Sequence, residues 1–184
     1  MGTGSREAIL AAARRAAQAR GYGGLNFRDL ADEVGIRAAS IYHHFPSKAD
    51  LGAAVARRYR EDMAASLDAI LAETPDPARC LHRYPGLFRK ALENGNRLCL
   101  CSFMAAEHDD LPEAVRREVL AFGDVNVAWL TRLLTATAGA RADAKARAIF
   151  AAVAGAQLMA RSRADVSLYD ALIDSYRAAG LLSA

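Results

Sequence analysis

The sequence predicts an all-α protein, on three observations. Alanine, leucine and arginine dominate the 184 residues, apolar residues recur at spacings of three and four, and no β-branched run alternates with polar residues in the manner of a strand. With 53% apolar and 24% charged residues, the chain can form one large helical domain or a small module carried on a larger one.

About nine helices are expected. The first covers residues 5–20, with Ser5 as N-cap, Ile9, Ala12, Ala13 and Ala16 on one face, and Gly21 as the stop. Asn26 caps a short second helix over 27–34, which Gly35 ends; a third covers 38–44, and Pro46 forbids its continuation. Ser47 and Asp50 have the spacing of a capping box opening a long fourth helix, 48–72. Thr74-Pro75-Asp76-Pro77 is the clearest break, because two prolines flanking Asp end one helix and pre-set the next. Further helices are expected over 77–94, 98–108, 112–138, 141–161 and 166–179. The division drawn is a helix-turn-helix head over residues 1–50, joined by the fourth helix to a ligand-binding and dimerisation body over 51–184.

Charge is unevenly placed. Residues 1–60 hold ten Lys/Arg against five Asp/Glu, and the remainder fourteen against sixteen. A basic end on a near-neutral body is the footprint of a molecule that meets phosphate at one end, although a solvated helical surface would carry the same charges. The first six residues hold no apolar signal core, Arg6 stands where a myristoylation signal needs Ser or Thr, and the longest apolar run, 149–160, contains Gln157 and is too short for a bilayer. A cytoplasmic protein with no membrane partner is expected. Cys80, Cys99 and Cys101 make no disulfide framework, which agrees with a reducing compartment.

The segment from Phe27 to Phe45 has the anatomy of a helix-turn-helix. Ala31 is small where the following helix crosses, Gly35 supplies a left-handed turn residue, and Leu30, Val34, Ile36 and Ile41 fill the space between the helices. The third helix is too short to be stable unless packed. Its remaining positions carry Arg37, Ser40, Tyr42, His43 and His44, which are groups that bond phosphates and base edges, while Ala38, Ala39 and Ser40 are small enough for a helix that sits deep in a major groove. Lys48 opens the fourth helix, where its ammonium and the helix dipole both favour an anion.

Through Gly21-Tyr22, Asn26-Phe27-Arg28-Asp29-Leu30-Ala31, Gly35-Ile36, the run from Ser40 to Lys48, and Leu51, the first third of the chain closely resembles the tetracycline-repressor (TetR) family. Asn26 stands where that family usually has Thr, an exchange of one cap for another. Arg37, Ala38 and Ala39 fall where its sequences differ. The resemblance implies a homodimer with two DNA-binding heads on a palindromic double-stranded operator, a helical body that takes a small-molecule inducer, a change in head separation on ligand binding, and no cofactor. It also implies phosphate contacts for Arg28, Tyr42, His44 and Lys48, and base-facing positions for Arg37, Ala39, Ser40 and His43. The alternative for Tyr42 or His44 is packing against the first helix.

In the body, Val115, Val119, Phe122, Asn126, Trp129, Leu130 and Leu133 form a buried stripe with one polar interruption. Asn126 is either a core residue bonded to nearby backbone or a group that orients a ligand in an apolar pocket, and Phe88, Phe103, Met104 and Trp129 either line that pocket or are plain core. Small residues of the last two long helices (Ala146, Ala151, Ala152, Ala154, Gly155, Ala156), together with Ile149, Phe150, Val153, Leu158, Leu168, Leu172, Ile173 and Tyr176, suit either a four-helix dimer face or internal packing. Cys99 and Cys101 near the start of the sixth helix are either oxidant- or electrophile-sensing thiols or small buried residues. A metal site using them with His108 would need that helix to unwind, so no metal is expected.

Enzymatic signatures are missing: there is no Gly-rich phosphate loop, no Gly-x-Ser-x-Gly and no His-Glu-x-x-His, and Glu107, Asp109 and Asp110 before Pro112 read as a helix end and loop. The expectation is a ligand-responsive DNA-binding regulator, a repressor released by a small apolar inducer. Two alternatives stand beside it: a thiol-based repressor acting through Cys99 or Cys101, and a helical interaction module without DNA affinity.

Overall fold

Several helices in this protein start where backbone amides find side-chain acceptors, at Asn26, Ser47, Asp76 and Asp165. The computed structural model describes residues 2–183, and among them are nine α-helices, three 3-10 turns and no strand. The helices are α1 (Gly2–Arg20), α2 (Phe27–Val34), α3 (Ala38–His44), α4 (Lys48–Glu73), α5 (Pro77–Glu93), α6 (Leu100–Ala105), α7 (Glu113–Ala138), α8 (Ala142–Arg163) and α9 (Val166–Ala178); the 3-10 turns are Tyr22–Gly24, His108–Asp110 and Gly139–Arg141. Ser47 and Asp50 do form the expected cap: the Asp50 amide donates to the Ser47 hydroxyl at 3.1 Å, and that hydroxyl donates to the Asp50 carboxylate at 2.7 Å. Asp76 accepts from the Ala78 amide, with Pro77 in the first turn of α5.

Two helices differ from expectation by more than two residues at an end. Helix α1 begins at Gly2, so Ser5 lies inside it and caps nothing. Helix α6 has six residues in place of the eleven expected. The Cys99 amide is taken by the Gln157 side chain at 2.9 Å, and past Ala105 the amides of Ala106 and Glu107 reach back only three residues, to Phe103 and Met104, which tightens the chain into the 3-10 turn holding His108.

The chain divides into two compact units. One runs from the amino-terminal helix to Glu61 and includes Leu100–Phe122; the other comprises Asp62–Cys99 and the residues from Gly123 onward. In the first, α1 packs against α2, α3 and α6 and buries Ile9, Leu10, Ala12, Ala13, Ala16 and Ala17. Leu30, Ile41, Phe45, Leu51 and Val55 complete that core. Glu118 of α7 ties down α4 by accepting from Arg57 at 2.8 Å and Arg60 at 3.2 Å. In the first unit Gly52 of α4 leaves room for the Tyr22 ring and Val115, both of which a Cβ there would crowd.

In the second unit α5, α8 and α9 pack together. Pro85 inside α5 has no amide to offer the Leu81 carbonyl, so the helical ladder is interrupted there. Helix α9 braces the interruption. Arg177 donates to the His82 carbonyl at 3.0 Å and the Tyr169 hydroxyl donates to the Pro85 carbonyl at 2.7 Å. Arg89 forms a two-pronged pair with Asp170 at 2.7 and 2.9 Å, a contact that holds the Asp170 carboxyl below the usual carboxylate range. By length and composition the stretch Glu113–Arg163 could cross a bilayer, but it is two helices separated by the turn Gly139–Arg141.

Gln157, fully buried on α8, donates to the Phe88 carbonyl at 2.6 Å while accepting from Cys99. Replacing it by Leu keeps the volume and leaves the Cys99 amide buried without an acceptor. Gln157→Leu is expected to lose about 1–3 kcal/mol of stability, read as a lower urea midpoint. A midpoint equal to that of the wild type would mean that water or a shifted backbone replaces the bond.

Candidate nucleic-acid interface

The exposed end of the first unit is built around one glycine. Gly35 has φ 74°, a conformation costly for any residue with a Cβ, and it lets the Ile36 amide reach back to the Ala31 carbonyl at 3.0 Å. The chain then extends through Arg37 and re-enters helix at Ala38. Ile41 is fully buried and fixes α3 to the core, which turns Arg37, Ala39, Tyr42 and His43 to the surface and leaves Ser40 and His44 half-buried.

Tyr42 is 56% exposed, and its ring lies 4.7 Å from that of Phe27. It is therefore propped on α2 with more than half of its surface open to solvent. The His44 ring neighbours are His43 and Phe45. At the start of α2, the Asn26 side chain accepts from the amides of Arg28 at 2.8 Å and Asp29 at 3.3 Å, filling the role expected of a Thr in that place. Beside it opens a cleft of about 640 Å³ lined by Leu25, Asn26, Phe27, Arg28, Asp29, Ala38, Tyr42 and Lys48. The cleft thus joins the positive end of α2, a guanidinium, a phenol and an ammonium, with the Asp29 carboxylate as its acidic member. That set can hold a phosphate.

Lys48 is held in place on its inner side. Its ammonium sits 4.6 Å from the centre of the Tyr22 ring and 3.4 Å from the Gly23 carbonyl oxygen. Tyr22 and Gly23 in turn donate their amides to the Glu107 carboxylate, at 2.6 and 3.3 Å. Sequence reasoning missed this interaction. Its partners stand 85 residues apart and no local pattern marks either.

The body residues sort differently. Phe88, Asn126 and Trp129 meet around Tyr84, which the sequence did not single out. The buried Tyr84 hydroxyl donates to Asn126 at 3.0 Å, and the Tyr84 ring lies 5.5 Å from Phe88 and 5.7 Å from Trp129. Asn126 thus accepts from a side chain of the same unit. Burial drives the Tyr84 phenol well above its ordinary pKa. The indole nitrogen of Trp129 is buried without a hydrogen-bond partner, and Trp129 lines a cleft of about 410 Å³ with Ala64, Leu67, Asp68, Val125, Ala128 and Arg132. Phe103 and Met104 belong to the first unit, half-buried and buried respectively. Cys99 and Cys101 are 1% and 2% exposed. Cys80, also buried, donates its thiol to the Thr74 carbonyl at 3.0 Å, and desolvation pushes that thiol up.

An all-helical chain whose amino-terminal helices form a glycine-turned pair, with a short polar helix exposed after the turn, defines a helix-turn-helix regulator. Comparison with known proteins agrees. Residues 9–55 match the profile of bacterial regulatory proteins, tetR family. A TetR-family transcriptional regulator from Agrobacterium tumefaciens is 32% identical, with a TM-score of 0.87 over 94% of this chain and 95% of that one. A TetR transcriptional regulator from Legionella pneumophila is 28% identical, with a TM-score of 0.85 over 90% and 91%. The fold is shared by SCO4454 of Streptomyces coelicolor, a TetR-family transcriptional regulator, at 22% identity and a TM-score of 0.84 over 97% of this chain and 94% of that one. No match was found among the curated proteins. The chain belongs to the TetR family of transcriptional regulators.

The cap at Asn26 provides a direct check on how the cleft is held. Asn26→Ala is expected to lose about 1 kcal/mol and Asn26→Thr only a few tenths, measured by thermal unfolding. Equal losses for the two would show that the side-chain oxygen is not what secures α2.

Proposed function

We propose that this protein is a ligand-responsive repressor that binds a palindromic duplex as a homodimer and releases it when a small, largely apolar inducer occupies the body. The observation that carries the DNA-binding half is the single exposed surface formed by α3 and the α2 cleft. Arg28, Tyr42, His44 and Lys48 grip phosphates on either side of the groove; Arg37, Ser40 and His43 face base edges, and Ala39 allows close approach. A regulator of chromosomal genes with this surface works in the cytoplasm. Residues 1–50 act as its head and 51–184 as its ligand-binding and dimerisation body, with α4 as the connection.

The inducer reading rests on Trp129. A buried indole N–H without an acceptor costs stability, and a ligand carrying an acceptor and an aromatic or aliphatic body would satisfy it from the adjoining cleft, next to the Tyr84–Asn126 pair. Burial of Cys99 and Cys101 favours this reading over one in which either thiol meets an electrophile. Trp129 is the sole tryptophan, so its fluorescence reports occupancy of the cleft directly.

Dimerisation is assigned to the outer face of α8 and α9. Helix α8 turns Ala146, Ile149, Val153 and Ala156 inward and Ala151, Gly155, Leu158 and Met159 outward. Leu158 is 58% exposed and Met159 47%, an apolar strip of the kind that buries well against its own copy.

The test is a duplex selected from a random-sequence pool by the wild-type protein. Tyr42→Ala with Lys48→Ala is expected to weaken binding to that duplex by tenfold or more and to lower the slope of log affinity against log salt by about 1, for the one cation, Lys48, that the variant no longer sets against a phosphate; the lost phenol contact lowers affinity at every salt concentration. Full affinity and an unchanged slope would sink the assignment of the head. Separately, Leu158→Glu is expected to sediment as a monomer and to lose most duplex affinity; a dimer at micromolar concentration would place the interface elsewhere.

A further inference from the structure

We propose that Glu107 is a positioning residue for DNA binding, acting on phosphate contact through Lys48. The inference rests on the head assignment above and adds to it a group that lies outside the head in sequence. Glu107 is held at its own backbone: its amide donates to the Met104 carbonyl at 2.9 Å and its carbonyl accepts from the Asp110 amide at 2.9 Å. From that fixed base its carboxylate takes the amides of Tyr22 and Gly23, the two donors that open the 3-10 turn Tyr22–Gly24. Within the turn, Gly24 donates to Gly21 and Leu25 to Tyr22, so no ladder bond serves those first two amides.

The site is shaped on both sides. Gly21 has φ 67°, and a Cβ there would overlap the Glu107 carboxylate. A Cβ on Gly52 would crowd the far side of Tyr22. Tyr22 is thereby clamped between a carboxylate at its amide and a helix at its ring. Lys48 reads that clamp, because the Tyr22 ring face and the Gly23 carbonyl together orient its ammonium, and one N–H directed at Gly23 leaves two for a phosphate. Lys48 lines the α2 cleft with Arg28 and Tyr42. Losing the carboxylate lets the turn move and lets the ammonium, a flexible point charge on a four-carbon stem, leave its place in the cleft.

The test uses the full chain and the duplex that the wild type selects from a random pool. Glu107→Ala is expected to weaken binding about three- to tenfold and to lower the salt slope by about 1, the signature of one phosphate left unneutralised. Glu107→Gln, which keeps one acceptor oxygen on the same stem, is expected to fall between Ala and wild type, and it also serves if the Ala variant folds poorly. In a Lys48→Ala background the Glu107→Ala change is expected to have almost no further effect on affinity. The proposal is overturned if both Glu107 variants bind with wild-type affinity and slope, or if Glu107→Ala weakens binding equally with and without Lys48, since a merely structural role gives that second result. A wild type that enriches no duplex overturns the head assignment and this inference with it, which separates the two failures.

Discussion

A helix of seven residues cannot sustain itself in water, and the amino-terminal part of this protein is arranged around that constraint. Helix nucleation is unfavourable and short helices are marginal even in sequences with high propensity, so α3 exists only because Ile41 is buried and the Gly35 turn delivers it at the right angle. The alanine face of α1 follows from the same need, because small side chains bring helix axes close enough for so short an element to be surrounded. What α3 has left over, once Ile41 serves as its anchor, is a set of polar groups turned outward. Their exposure is a consequence of its shortness.

The second unit meets a different problem with a different device. Its packing is secured by buried polar crosslinks: Gln157 between the Phe88 carbonyl and the Cys99 amide, and Tyr84 on Asn126. Tyr169 and Arg177 reach the disturbed backbone near Pro85. Apolar burial is indifferent to small slides of one helix along another, whereas a buried hydrogen bond left unmade costs its full desolvation. The crosslinks therefore set register among α5, α8 and α9, and an inducer that engaged Asn126 or Trp129 would be exchanging energy with the groups that hold that register.

Much of this was legible in the residues. Helix order, the capping roles of Asn26, Ser47 and Asp50, the left-handed Gly35 and the exposure of α3 all depend on local chemistry, where a side chain meets backbone within a few positions. The sequence also separated core from surface on α7, where Phe122, Asn126, Trp129 and Leu130 are buried as their spacing requires. Interactions closed by the fold were not legible. Glu107 read as part of an acidic loop because its partners are backbone amides, which have no letter in a sequence. Tyr84 was passed over because its hydroxyl is satisfied by Asn126, 42 residues on. Helix α6 was overextended for a related reason: helical periodicity continues past Ala105, and only the capture of Cys99 by Gln157 and the tightening at Glu107 cut it short.

The bare strip on α8 bears on how much of this protein a cell can keep folded. Leu158 and Met159 stand in solvent on an isolated chain; if a second copy covers them, as proposed above, folding free energy is tied to association, and stability climbs with concentration by mass action. A regulator present in few copies would sit at the shallow end of that curve, where newly made chains are the most vulnerable to proteolysis. Its abundance would then have a threshold set by its own surface, below which free chains outnumber paired ones.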